Sequence, residues 1–419
     1  MKSAKTTYDQ RLRRINDSIA LKEPDIVPLN IVIQCYPFIH AGYTMADILY
    51  DTDFSKARHS MFNFLDEYQP DYIFGQAYVH IGEGPMLELA RPKTLRWAGM
   101  PGNIIDKNSV HQFIEFPILQ DDEFEEFMRD RTWWIMKKAM PRTTALLEPM
   151  ANWNIMGNTL FGGHQVMAQM LCNPETKQMI DTLWKINEMS TALQAHTRQL
   201  DIDIEEAGFP TPMQGFSAVP YDNYSDTYRG TIDAMIDMME RPDYVLQYCR
   251  EDLEATKALI RWQASLMPGR HVFMPLHKGM DSFMNPEQYR KFYWRDLQEI
   301  ISTIIDAGMV PYIYTEGKYD SRLECLKEVP KGKVLYHFEE VDMIRAKKIL
   351  GDTACISGGF PVYLLDFGTK QQVIDEAKRL IDGCAAGGGF IFETSCGIDY
   401  AKPENVEALV ETVRTYGKS

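Results

Sequence analysis

The chain has 419 residues, 45% of them hydrophobic, and a formal net charge of −15. That is enough apolar material for one large core or two ordinary domains, while the acidic balance and the lack of any Lys/Arg run exclude nucleic acid as the expected partner, because phosphates must be neutralised by clustered cations. The opening residues MKSAKTTYDQRLRRIND are polar, no apolar run approaches the roughly 18 residues of a membrane span, and the seven cysteines are scattered without a CxxC pair, so a cytoplasmic protein with free thiols is expected, neither secreted nor membrane-spanning.

In chain order, Tyr8–Ala20 reads as a helix, Asp25–Gln34 as a strand, Asp53–Glu67 as a helix and Asp71–Tyr78 as a strand. Residues around Arg91–Asp106 and Pro117–Met140 give a mixed signal. Phe116–Pro174 is taken as partly an insertion, whose Trp133, Trp134 and Trp153 would suit a segment covering a substrate, although core packing is the commoner use of such rings.

From there a rhythm sets in. His271–Leu276 is a strand, Pro286–Ile305 a helix, Val310–Thr315 a strand and Ser321–Glu328 a short helix; Lys333–Phe338, Thr353–Ser357 and Gly389–Thr394 are strands, with helices at Val341–Leu350, Gln371–Gly383 and Pro403–Tyr416. Strand and helix alternating in this way indicate parallel βα units, and with no Pro, Gly or Ser-rich linker the simplest account is one (β/α)8 TIM barrel spanning residues 1–419.

Catalytic groups of such barrels sit at the carboxyl ends of the strands. Glu316 follows an apolar strand and precedes Gly317, which lets the chain turn; His337 lies near the end of the next strand; Cys396 follows the last one. A carboxylate, an imidazole and a thiolate are ligand types that zinc accepts, and three of them leave a fourth position open for chemistry. His277, after an earlier strand, is a fourth candidate, as ligand or as a hydrogen-bonding partner of a substrate. His40, His80 and Glu83 lie in loops after the first strands and could support the site. Neither GxGxxG nor GxxxxGK[ST] occurs in the required context, so nucleotide cofactors are not expected.

Several segments carry a likeness. Arg11–Pro28 (RLRRINDSIALKEPDIVP) resembles the opening helix and strand of the uroporphyrinogen decarboxylase superfamily, and Ala41–Leu49 its following segment. Asn285–Tyr289, Ala307–Gly317, Val341–Gly351, Ile356–Pro361 and Gly388–Val406 are similar to later family motifs, in order. The true decarboxylases hold their porphyrinogen with an arginine pair near the N-terminus; the corresponding Gln34–Gly42 (QCYPFIHAG) has no arginine, which disfavours an octa-carboxylate substrate.

The resemblance therefore implies the other branch, methyltransferases that exchange methyl groups with a corrinoid protein. Its thiol-methylating members hold zinc through an HxC motif and a later cysteine. Cys396 matches that cysteine, whereas Tyr314 and Glu316 stand where the histidine and cysteine would be. The site then uses Glu316 and Cys396 with His337 or His277, or it has lost the metal; a ligand set poorer in sulfur suits an oxygen substrate better than a thiol.

The expectation is a methyltransferase acting between a small methoxylated aromatic compound and a separate corrinoid protein, since no DxHxxG corrinoid motif is present. Zinc held by Glu316, His337 and Cys396, or a positioned acid, would stabilise the leaving oxygen, with His277 or Tyr314 orienting or protonating the substrate. Tyr36, His40, Phe216, Tyr221 and Phe360 would line the pocket, with Phe38, Tyr224 and Tyr363 nearby. Nothing argues against a homodimer. A decarboxylase of a smaller acid and a non-catalytic binding protein are the competing readings.

Overall fold

The computed structural model of the chain describes residues 3–73, 80–102, 104–154 and 159–418. Seven strands form one parallel sheet: β1 Leu29–Asn30, β4 Met213–Phe216, β5 His271–Leu276, β6 Val310–Lys318, β7 Leu335–Glu340, β8 Cys355–Gly358 and β9 Phe390–Glu393. Their order is β1-β9-β8-β7-β6-β5-β4, and every pairing is parallel.

The gap between β1 and β4 is bridged at one end by residues 71–73. Asp71 N donates to Leu29 O at 2.7 Å and Ile73 N to Pro210 O at 3.2 Å, while the Asp71 carboxylate accepts Leu29 N at 2.9 Å. With its helices this curled sheet is a TIM-barrel-type α/β fold. The rest of the expected strand Asp71–Tyr78, residues 74–79, lies outside the described residues. A small antiparallel pair, β2 Leu95–Arg96 with β3 Gln112–Phe113, stands apart.

Alternation along the strands explains both layers. Val272, Met274, Leu276 and Ile313 pack outward beneath the helices, and Phe273, Tyr312, Tyr314, Leu335, Cys355 and Ile391 pack together inside the barrel. All six residues of β5 are buried, as expected for a parallel strand covered on both faces.

The helical region after β5 shows how local chemistry builds the wall. Asn285 caps it through Glu287 N and Gln288 N, Gln288 returns a bond to Asn285 N, and Pro286 occupies the first turn. A wide π-type turn at Arg290–Trp294 leads into Arg295–Asp306, whose Leu297, Ile300, Ile301 and Ile304 are fully buried at helical spacing, each worth about 1.5–3 kcal/mol. The same π turn carries Tyr293, whose hydroxyl donates to Asp222 at 2.5 Å.

Between residues 124 and 152 the chain is mostly helical, and Trp134 is buried in the core with its ring 5.0 Å from Phe127 and 6.0 Å from Tyr228. The long helices Pro174–Glu206 and Pro242–Leu266 precede β4 and β5. At the far side, Gly358 adopts φ +89°, and a Cβ there would lie 2.2 Å from Phe338 O. Gly358→Ala is expected to cost about 2 kcal/mol or more, read as a lowered denaturant midpoint.

Candidate active site

Residues at the carboxyl ends of β4 to β7 meet at one mouth. The short helix Pro220–Tyr224 and the π turn Ser225–Arg229 after β4 deliver Asp222 and Asp226. Asp222 is buried and accepts His277 N at 3.1 Å, Lys278 N at 2.9 Å and the Tyr293 hydroxyl. These bonds fix the backbone at the end of β5, and that fixes the side chains beyond it.

His277 Nδ1 lies 2.5 Å from Asp226 Oδ2, and its Nε2 lies 3.5 Å from Glu316 Oε1. Lys278 Nζ also pairs with Asp226, at 3.0 Å. His277 and Glu316 keep 35% and 40% of their side-chain surface exposed, so the cluster is open to a ligand. Burial works against charge on His277, but the bond to Asp226 and the charges of Asp222 and Glu316 outweigh it and raise its pKa to about 9. Burial pushes Asp222 up to about 6. Burial also raises Glu316, with Glu339 and Asp226 adding to the shift against the pull of His277.

Glu339, at the end of β7, accepts Gly317 N at 2.8 Å and lies 3.4 Å from the Tyr314 hydroxyl. Gly317 takes φ +75° here, the sharp turn expected from its place after Glu316. Below the rim, aromatic rings run across the interior: Phe216 to Phe273 at 6.3 Å, Phe273 to Tyr314 at 5.7 Å, and Tyr314 stacked on His337 at 4.3 Å. Phe216 is 54% exposed.

The structure brings Glu316 and His277 together, but it does not assemble the ligand trio expected of Glu316, His337 and Cys396. His337 is fully buried, with Nδ1 2.6 Å from Glu393 Oε2 and Nε2 2.9 Å from Ser395 O; both nitrogens are already engaged by protein oxygens, so neither is turned to a shared metal position. Burial, and next the charge of Glu339, raise the Cys396 thiol above its usual range. Among the described residues no three His, Cys, Asp or Glu side chains are placed to hold a metal ion, and the residues not described include none of these types. As arranged, these residues do not fit zinc. Titrating the purified protein with zinc is expected to show no submicromolar site that Cys396→Ser abolishes; such a site would mean that Glu316 and Cys396 turn to become ligands.

The pocket expected of the rim aromatics is also redrawn. Tyr36 is buried with its hydroxyl 2.8 Å from that of Tyr68, Tyr221 is buried and donates to Ala234 O, and Phe360 packs on Phe392 in the core. Phe38 and Tyr224 are buried too, and Tyr363 is exposed. Tyr36 and Tyr221 fall in short helices whose apolar side turns inward, which a place after a strand does not reveal. His40 pairs with Glu67 at 2.8 Å and His80 with Glu83 at 2.6 Å. Of the expected substrate contacts, Phe216 keeps a large exposed ring. Asp222, Asp226 and Glu339 carry the electrostatics of the mouth and escaped the sequence reading, as did Glu393 in the interior beneath it; a strand-end rule applied to acids would have found Glu339 and Glu393.

A parallel barrel with titratable groups gathered at its strand ends defines an α/β-barrel enzyme. The chain belongs to the uroporphyrinogen decarboxylase (URO-D) family, which matches residues 156–416. Among solved structures it resembles a methyltransferase from Methanosarcina mazei, with a TM-score of 0.60 and 14% identity over 96% of this chain and 98% of that one. Comparison with curated proteins returns no match. Among the described residues no helix is long and apolar enough to cross a membrane.

Proposed function

We propose that this chain is a methyltransferase that moves a methyl group between the oxygen of a small methoxylated aromatic compound and a corrinoid carried by a separate protein. One observation carries the reading: an imidazole at the barrel mouth, His277, held on one nitrogen by Asp226 with its other nitrogen directed to Glu316. With its pKa raised to about 9, His277 is an acid at neutral pH.

Breaking an aryl methyl ether requires the oxygen to leave with the bonding pair, and a phenoxide leaves poorly unless a proton or a cation meets it. In this reading the methyl carbon passes to the nucleophile that the corrinoid supplies, the oxygen keeps the electron pair, and His277 Nε2 gives it a proton. Asp226 then holds Nδ1–H and keeps the ring in place. In the reverse direction the same nitrogen takes the proton from the phenol.

Charge argues in the same direction. The cations His277 and Lys278 are matched by Asp226, Glu316 and Asp222, with Glu339 alongside, so among the described residues the mouth has little to offer a polycarboxylate porphyrinogen. The exposed ring of Phe216 suits a flat apolar substrate. The resemblance in fold to a methyltransferase is compatible with this choice.

The test is to incubate the protein with reduced free cobalamin as a surrogate acceptor and a panel of uncharged methoxybenzenes. The expected result is methylated cobalamin and the matching phenol. Carbon dioxide release from carboxylated analogues, with no methyl transfer across the panel, would overturn the proposal in favour of a decarboxylase.

A further inference from the structure

A second ionic centre lies inside the barrel, apart from the groups used above. Glu393 on β9 is fully buried and takes five donors. Asn30 Nδ2, at 2.8 Å, and the Tyr72 hydroxyl meet Oε1. The Tyr312 hydroxyl at 2.8 Å, Ser357 Oγ at 2.6 Å and His337 Nδ1 at 2.6 Å meet Oε2. The donors come from β1, the segment at 71–73, β6, β8 and β7, so one carboxylate ties together nearly the whole ring.

His337 passes this anchorage on to the mouth in two directions. Its edge reaches Ser395 O through Nε2 at 2.9 Å, in the segment that carries Cys396. Its face lies flat under Tyr314, with centroids 4.3 Å apart and planes 6° from parallel, and Tyr314 stands two residues before Glu316. A carboxylate buried merely to fill a core would be an expensive choice. A carboxylate that fixes the rotation of one imidazole, and through it two elements of the mouth, has a use that repays that cost.

We propose that Glu393 and His337 are positioning residues of the mouth, setting the seat of the Ser395–Cys396 segment and of the Tyr314 ring from below. The inference deepens the proposed function by assigning these two residues to the same mouth, but its test needs no substrate. Thr394 contributes as well, accepting Val32 N and donating to Cys396 O, each at 3.0 Å, and Ser395 N donates to Phe360 O at 2.8 Å, so the segment is held at three points and loses one of them when His337 is replaced.

The experiment follows Cys396 with iodoacetamide in a Cys172→Ser background under native conditions. Cys172 is exposed, Cys396 partly so, and Cys35, Cys249, Cys325, Cys355 and Cys384 are buried, so their protection reports the integrity of the fold. His337→Phe keeps a ring under Tyr314 and removes both ring-nitrogen contacts. The double variant His337→Phe/Glu393→Gln avoids leaving an unpaired buried carboxylate, and it decides the matter if the single variant unfolds.

Loss of a bond of this kind is expected to raise the alkylation rate of Cys396 by roughly tenfold, with the buried thiols still protected. A Cys396 rate within about twofold of the background in the folded double variant would overturn the proposal. So would general reactivity of the buried thiols in that variant, which would make the pair a requirement of the global fold. If methyl transfer fails while the Cys396 rate rises, the proposed function falls and the positioning role stands.

Discussion

His277→Gln is expected to lower methyl transfer by about 10²–10⁴-fold, the usual contribution of a positioned acid, with little change in the fold. The backbone of His277 is held independently, through its amide to Asp222, so the variant loses the proton donor without freeing the strand end. Glutamine can still bond to Asp226, and the loss therefore reports protonation more than placement. Rate against pH should fall on the alkaline side as His277 deprotonates near pH 9, and this limb should disappear in the variant. Stability carries the same sign. The folded pKa of His277 lies above the ordinary 6.5, so its contribution is complete below pH 6.5 and is lost as pH rises through about 9. The wild type should lose more stability than His277→Gln between pH 7 and pH 9 in urea titrations; parallel curves would show that Asp226 and Glu316 do not hold a cation.

The second large effect is on folding. Glu393→Ala is expected to destabilise the protein by about 3–5 kcal/mol, because it leaves His337 and four further donors facing a void in the barrel interior. Burial alone would push the Glu393 carboxyl up, but the bonds from His337, Ser357 and Tyr72 more than offset this and hold it below its usual range. Its stabilising contribution is thus present above the ordinary carboxylate pKa and lost as pH falls through the lowered one. Acid denaturation of the wild type should be steeper than that of a Glu393→Gln variant, measured by tryptophan fluorescence. A Glu393→Ala protein as stable as the wild type would show that water or side-chain rearrangement satisfies the five donors.

The β5 segment HVFMPL could be read residue for residue because a strand buried on both faces is an unbroken apolar run between polar loops. Strand β4 escaped notice: MQGF carries a glutamine and a glycine and shifts register against β5 between Met213 and Gly215, so neither alternation nor a continuous run marks it. The helix Pro174–Glu206 was also missed, since only five of its 33 residues are buried and its periodicity is weak. At the site, His277 and Glu316 follow from the strand-end rule. Which nitrogen of which histidine is free does not follow, because that depends on acids more than 50 residues away, as Glu393 is from His337 and Asp226 from His277. His337 shows the limit well. Its side of the strand does not follow from the sequence, because a shift of one residue in register reverses it, and whether an inward imidazole binds a metal or a carboxylate is decided by the strand across the ring.

The pairing of Leu29 with Phe392 and Asn30 with Glu393 bears on how the protein is made. Strands β4 to β8 can pair with near neighbours as they leave the ribosome, but the ring stays open until residues some 363 positions apart meet. Loop closure over that span is slow compared with local pairing. The interior carboxylate would then receive its ligands in the last stage of synthesis, and a nascent chain halted before residue 393 would carry an unsealed sheet edge, the kind of surface that chaperones recognise.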